Sequence, residues 1–87
     1  MTGVEIRRAG EGDVPAIVGL LADDALGATR ESVDDLGPYF AAFERLRDDR
    51  NQYVLVACRG DDVVGTLQLT IVPGLSRRGS TRAIIEG

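Results

Sequence analysis

The feature that most constrains the fold is a long β-prone segment at residues 53–72. Its first part, residues 53–58, is apolar, and its second part, residues 63–72, is again rich in β-branched side chains. Residues 59–62 (Arg-Gly-Asp-Asp) between them have the composition of a turn, so the segment predicts a β-hairpin, with Gly65 at a bulge or tight bend. Because the first strand is so apolar, we expect that it cannot face water on both sides.

Two helices are predicted before this hairpin. The first covers about residues 13–25, with Asp13 as its N-cap and Pro15 in the first turn, where a missing N–H costs nothing. Its apolar residues recur at helical spacing: Val14, Ile17, Leu20, Leu21 and Ala25. The second opens at Pro38, ends by Asn51 and turns four large side chains inward: Tyr39, Phe40, Phe43 and Leu46.

The remaining segments complete an α+β pattern. Residues 4–9 alternate apolar and polar side chains as a strand does, residues 26–37 and 73–80 indicate loops, and residues 81–87 begin another strand. The order β-α-α-β-β-β favours a mainly antiparallel sheet covered by two helices. Since the sequence stops inside the last strand, we expect residues 1–87 to be a single partial domain, truncated in its fourth strand.

Composition excludes several classes of function. Ten arginines, no lysine and fourteen acids give a net charge of −4, which argues against a nucleic-acid partner. The sequence has no histidine and one cysteine, so we expect no metal site and no histidine-dependent catalysis, and we expect Cys58 to be an inert buried thiol. No apolar run approaches the roughly 20 residues of a membrane span, and the N-terminus lacks a signal region, so we expect a cytoplasmic protein without a membrane partner.

Three short motifs have plainer explanations than their functional ones. Gly10-x-Gly12 lies between a strand and a helix, but Pro15 replaces the third glycine of a dinucleotide-binding loop, so a simple turn is favoured. Residues 59–61 spell Arg-Gly-Asp, which fits a hairpin turn better than cell adhesion. Residues 77–80 (Arg-Arg-Gly-Ser) fit a solvated loop better than a phosphorylation site.

Acidic residues are the candidates for a site. Asp23 and Asp24 precede the loop between the helices, where they either attract an amine substrate or keep the surface soluble. Glu86 follows two isoleucines in the last strand. A carboxylate surrounded by apolar strand residues would have a raised pKa and could act as a general base, whereas a glutamate on an edge strand would point into solvent; the sequence leaves both open.

The assembled pattern resembles the first half of the GNAT superfamily of acyl-CoA N-acyltransferases. The resemblance rests on Ile-Arg-Arg-Ala at residues 6–9, Gly-Asp-Val-Pro-Ala-Ile at 12–17, the aromatic second helix, and the strands at 53–57 and 63–69. Residues 82–87 (Arg-Ala-Ile-Ile-Glu-Gly) resemble the entry into the family's fourth strand. Together these segments cover essentially the whole sequence.

The resemblance implies acetyl transfer from acetyl-CoA, as co-substrate, to a small-molecule or peptide amine. Glu86 would be the general base, and the loop around residues 23–37, including Asp23, Asp24 and Glu31, would help to shape the acceptor site. The family's Arg/Gln-x-x-Gly-x-Gly/Ala loop, which binds the CoA pyrophosphate, is expected shortly after Gly87 and is absent from that position. We therefore expect these residues alone to hold no acetyl-CoA and to be inactive as an N-terminal fragment.

Two other interpretations remain open. The chain could be a non-enzymatic interaction domain that forms a homodimer through its unpaired last strand. It could also be an unrelated α+β hairpin protein, which would have a helix in place of the last strand, or a parallel sheet.

Overall fold

The computed structural model of the chain describes residues 3–23 and 31–87. The described residues form four strands, a 3-10 turn and three helices, and the predicted α+β class is confirmed. In chain order these are β1 (Glu5–Arg8), the 3-10 turn (Glu11–Asp13), α1 (Val14–Asp23), α2 (Gly37–Asp48), β2 (Gln52–Arg59), β3 (Asp62–Pro73), α3 (Ser76–Gly79) and β4 (Thr81–Glu86).

The four strands form one antiparallel sheet in the order β1-β2-β3-β4. The predicted hairpin is confirmed: Arg59 pairs with Asp62, and Gly60 in the turn has φ +61°, a region that favours glycine. The register shifts where Ala57 pairs with Gly65 but Cys58 pairs with Val63. The extra residue lies next to Gly65, so the predicted bulge is confirmed as well.

The hydrophobic core lies between the two long helices and one face of the sheet. Val14 and Val18 from α1 and Phe43 from α2 are buried together, and Val54 from β2 packs against them. Val56 and Cys58, which follow Val54 at a spacing of two, are also buried. The predicted burial of the Cys58 thiol is thereby confirmed.

No described element covers the opposite face of the sheet. Side chains directly opposite each other in an antiparallel pair share a face, so Leu55 lies with Leu67, and Tyr53 lies with Leu69 and Ile85. Ile85 is 70% exposed, and the other four are only half-buried. Apolar residues thus line both faces of β2, and the described residues bury the helix side, so the strand does not face water on both sides, as expected.

Helix α1 begins differently from the prediction. Asp13 is not the N-cap: it ends a 3-10 turn whose N-cap is Gly10, and α1 follows from Val14. The Asp13 carboxylate instead accepts a hydrogen bond from the backbone N–H of Gly10 (N to Oδ2, 2.7 Å). Asp13 is the last residue of the turn, and the turn brings its carboxylate back to the N–H of Gly10 at the start. The carboxylate therefore caps the turn. The predicted extension of the helix to residue 25 lies outside the described residues.

The segment predicted as a loop at residues 73–80 contains the four-residue helical turn α3. Its backbone is left-handed, with φ +54° at Arg77, +64° at Arg78 and +75° at Gly79. The backbone N–H of Gly79 donates to the carbonyl of Leu75 at 3.0 Å. A left-handed turn built on arginines leaves no periodic signal in the sequence, since only glycine favours this region.

The length and apolar character of the helices decide whether one of them could span a membrane. Among residues 3–23 and 31–87, no helix has both the length and the apolar character needed to cross a bilayer.

Candidate functional site

A cavity of about 390 Å³ lies between α1, α2 and the helix-facing side of the sheet. Most of its wall is apolar, because the inward stripes of both helices face it. The apolar side chains are Val14, Ile17, Val18, Leu21, Ala42, Phe43, Leu46 and Val54, and Leu67, whose side chain lies on the other face of the sheet, also borders the cavity. Tyr39, Thr66, Gln68 and Glu86 supply polar groups, and Gly87 completes the lining.

Glu86, the predicted general base, lies at the end of β4 and lines this cavity. In the sheet it is directly opposite Gln68, which in turn is opposite Val54 on β2, so the three share the helix-facing side. Glu86 is exposed, so the apolar enclosure that the sequence suggested is not observed. Its carboxylate has no hydrogen-bond or ion-pair partner among the described residues.

Three polar side chains of the cavity each donate a hydrogen bond within the protein. The hydroxyl of Thr66 donates to the carbonyl of Leu55 (3.1 Å), and the amide nitrogen of Gln68 donates to Oε1 of Gln52 (2.9 Å). The Tyr39 hydroxyl donates to Oε1 of Glu31 at 2.8 Å. One N–H of the Gln68 amide remains as a donor, and the other side-chain groups left to meet a ligand are acceptors, chiefly the carboxylate of Glu86.

Tyr39 is held at the wall of the cavity by the segment before α2. Its hydroxyl oxygen accepts a hydrogen bond from the backbone N–H of Ser32 (2.8 Å), which by itself would lower the pKa of the phenol. The hydrogen bond to Glu31, loss of solvent and the negative charges of Glu31 and Asp35 act in the opposite direction. The net result is a raised pKa for Tyr39, so the phenol stays protonated at neutral pH.

The structure brings only part of the predicted acceptor loop to this site. Glu31 reaches it through Tyr39, as just described, although Glu31 does not line the cavity itself. Asp23 is exposed at the end of α1 and is not part of the lining. Asp24 lies outside the described residues.

An ion pair joins β1 to the 3-10 turn, and the charge at this turn does not favour binding of an anion. Arg7 donates two hydrogen bonds to the Asp13 carboxylate, from Nη1 to Oδ2 at 2.7 Å and from Nη2 to Oδ1 at 2.9 Å. The hydrogen bonds from Arg7 and from the Gly10 backbone lower the pKa of Asp13. A carboxylate that is ionised at neutral pH beside this turn opposes a bound pyrophosphate, in agreement with the simple turn predicted for Gly10-x-Gly12.

Metal-binding chemistry has no visible support in residues 3–23 and 31–87. No group of three or more His, Cys, Asp or Glu side chains is arranged there to hold an ion.

Two solved structures are similar to this chain. The crystal structure of a transcriptional regulator from Bacillus halodurans C-125 matches 98% of the chain with a TM-score of 0.91 and 44% identity. A "putative acetyltransferase" from Agrobacterium tumefaciens str. C58 matches 94% of it with a TM-score of 0.74 and 29% identity. The architecture is consistent with a partial GNAT-like fold. The chain covers only 58% and 55% of the lengths of these two proteins.

Comparison with protein families and with curated proteins gives no match.

The sequence did not indicate that Tyr39, Thr66 and Gln68 line the cavity. Tyr39 was predicted only as an inward-facing core residue, and the two strand residues carried no motif. Alternation along β3 puts Thr66 and Gln68 on one face, but the pairing with β2 was needed to show that this face turns toward the helices.

Proposed function

We propose that this chain forms the amine-binding part of an acetyl-CoA-dependent N-acetyltransferase, with Glu86 as general base. The observation that supports this most directly is the carboxylate of Glu86 at the wall of the cavity between the helices and the sheet, where it has no partner among the described residues. The likeness to the "putative acetyltransferase" from Agrobacterium tumefaciens supports the reaction class.

The chemistry assigned to Glu86 is removal of a proton from the substrate. A primary amine is mostly an ammonium ion at neutral pH, since alkylamines have a pKa near about 10. The ammonium ion donates a proton to the carboxylate of Glu86, and the freed lone pair attacks the thioester carbonyl carbon of the acetyl donor. The C–N bond forms and the C–S bond breaks; the nitrogen loses a second proton as it becomes the amide, and the leaving CoA thiolate takes up a proton to become the thiol.

The test is acetyl transfer by the protein produced from its native gene, followed as release of free CoA thiol. Glu86→Gln keeps the size of the side chain but cannot accept the proton, so kcat/KM should fall by about 100-fold or more at neutral pH. This deficit should shrink as the pH approaches the pKa of the amine substrate, because the amine then loses its proton to solvent.

The matched control is Glu44→Gln on the outer face of α2, where the side chain is 67% exposed. This variant should keep the activity of the parent. An unchanged rate for Glu86→Gln, or equal losses in the two variants, would contradict the role of Glu86.

The acetyl donor has no evident site in these residues. Residues 7–12 (Arg-Arg-Ala-Gly-Glu-Gly) match the letters of the family's Arg-x-x-Gly-x-Gly pattern, but there Arg7 and the N–H of Gly10 bind the ionised Asp13 carboxylate, which opposes a pyrophosphate. Calorimetric titration of the 87-residue chain with acetyl-CoA should therefore give no binding at millimolar concentration. Binding there would contradict this account of the donor site. The intact mass of the native gene product, compared with 9.3 kDa, shows which form is to be assayed.

The exposed edge of strand β4 supports a second candidate function, that of an interaction domain that forms a homodimer through this strand. It is exposed along its length, and its outer edge pairs with no described strand. In an antiparallel pair of two β4 strands centred on Ile84, Arg82 of one copy lies opposite Glu86 of the other. Side chains of opposite charge therefore meet in this register.

Sedimentation velocity tests this dimer. We expect a concentration-dependent dimer that Arg82→Glu dissociates and that the double exchange Arg82→Glu with Glu86→Arg restores. The control Arg77→Glu, in the α3 turn, should leave the dimer intact. A monomer at all concentrations, or a dimer indifferent to Arg82→Glu, would contradict it.

A further inference from the structure

We infer that the cavity selects amines that carry a compact apolar group, such as a phenyl ring or a branched alkyl chain, next to the ammonium. This inference rests on the proposed function and specifies the class of acceptor. It follows from the way in which the polar and apolar groups of the lining are distributed.

The apolar wall has two components. Ile17 and Leu21 from α1 and Leu46 from α2 are half-buried, so part of each side chain faces the cavity. Phe43 and Val18 are buried behind them. A ligand that covers this surface removes apolar area from water on both sides, which contributes about 25 cal/mol for each Å².

The polar groups of the cavity favour a ligand that donates hydrogen bonds. Tyr39, Thr66 and Gln68 each direct a donor to another group of the protein, at 2.8, 3.1 and 2.9 Å. A sugar hydroxyl or a carboxylate that needs donors therefore finds few in this lining. An ammonium ion needs only acceptors, and the carboxylate of Glu86 is one without a partner among the described residues.

The volume limits the size of the substrate. A cavity of about 390 Å³ is at the lower end of the range for small-molecule sites, roughly 300–1,000 Å³. It accommodates a single ring or a short branched chain. A polyhydroxylated amine of several rings would have to leave most of its surface outside.

Binding of three related probes to the chain tests the inference without requiring acetyl transfer. The probes are phenethylamine, ethylamine and phenethyl alcohol, titrated at about pH 7, where both amines are protonated. We expect phenethylamine to bind at least about tenfold more tightly than either of the others, because only it offers both the ring and the charge.

Two variants locate the probe. Glu86→Gln should weaken phenethylamine about tenfold and leave phenethyl alcohol unchanged, whereas Glu44→Gln should affect neither. Ala42→Phe fills the cavity and should abolish binding of both aromatic probes. Ala41→Phe adds the same ring one residue earlier, at an exposed position, and should have no effect. Circular dichroism of each variant verifies that it is folded.

The outcomes separate this inference from the proposed function. Equal affinity for phenethylamine and ethylamine, or binding that survives Ala42→Phe, overturns it. If acetyl transfer is observed but small polar amines are the better substrates, the inference fails while the proposed function stands. If phenethylamine binds as expected but no acetyl transfer occurs, the amine site stands and the proposed reaction fails.

Discussion

Arg7 and Asp13 hold the first strand to the start of the first helix at the scale of single residues. The two hydrogen bonds between them, together with the one from Gly10, engage both carboxylate oxygens. Asp13 is mostly buried, its side chain being 15% exposed, whereas the Arg7 side chain is 44% exposed. Because Arg7 remains in contact with water, most of the benefit comes from orienting the turn rather than from charge attraction.

Asp13→Asn should reduce the free energy of unfolding by about 1 kcal/mol at neutral pH, because the amide keeps only one of the two oxygens that accept hydrogen bonds from Arg7 and Gly10. The folded state lowers the pKa of Asp13, so this carboxylate stabilises the fold above its unfolded pKa of about 3.9 and ceases to do so as the pH falls through the folded value. Urea denaturation at several pH values measures the difference, which should disappear in acid. Asp34→Asn, at an exposed position, is the control and should leave the free energy of unfolding at neutral pH unchanged.

Two glycines show how the backbone conformation of an element decides whether an added methyl group stabilises or destabilises the protein. Gly19 lies inside α1, and a Cβ there would meet no atom within 4 Å. Gly60 also has open space around it, but its φ of +61° belongs to the hairpin turn between β2 and β3. The space is therefore equal at both positions, and only the backbone conformation differs.

Gly19→Ala should stabilise the protein by about 0.5–1 kcal/mol, because alanine loses less backbone entropy than glycine on entering a helix. Gly60→Ala should destabilise it by about 1 kcal/mol, because an L-residue is strained in the left-handed region. Thermal unfolding of both variants beside the parent is the measurement. Shifts of the same sign would contradict the assigned backbone geometry.

The whole molecule depends on a small core. Among the described residues only five apolar side chains are buried: Val14, Val18, Phe43, Val56 and Cys58. Stability typically amounts to about 0.05–0.15 kcal/mol per residue, so a chain of 87 residues has roughly 4–13 kcal/mol. The cavity and the uncovered sheet face both leave apolar surface in contact with water, so we expect the lower end of this range.

Phe43→Ala removes the largest side chain of this core and should cost about 3 kcal/mol or more. That loss is most of the stability we expect, so the variant should be largely unfolded at moderate urea concentrations where the parent is folded. Chemical denaturation followed by circular dichroism measures it. Leu75→Ala, at a side chain that is 95% exposed, is the control and should leave the midpoint unchanged.

The local elements could be predicted because each has a signal within a few residues. The apolar spacing after Asp13 predicted α1, and the apolar strands around Gly60 predicted the hairpin and its bulge. The left-handed turn at Arg77 and Arg78 could not be predicted, since neither residue type favours a positive φ. Nor could the role of Asp13 in capping the turn from its last position, because that depends on residues 11–13 forming a 3-10 turn, which brings the carboxylate back to the N–H of Gly10.

For this protein the sequence by itself determined the α+β class, the order of the elements, the burial of Cys58 and Glu86 as a candidate. These follow from local periodicity and residue chemistry. Only the tertiary structure decided that Glu86 lies beside Gln68 at the wall of a cavity, and that Tyr39 reaches the same cavity bound to Glu31. The physical reason is distance along the chain: Glu86 and Tyr39 come together only after β4 has paired with β3 and the helices have packed on the sheet.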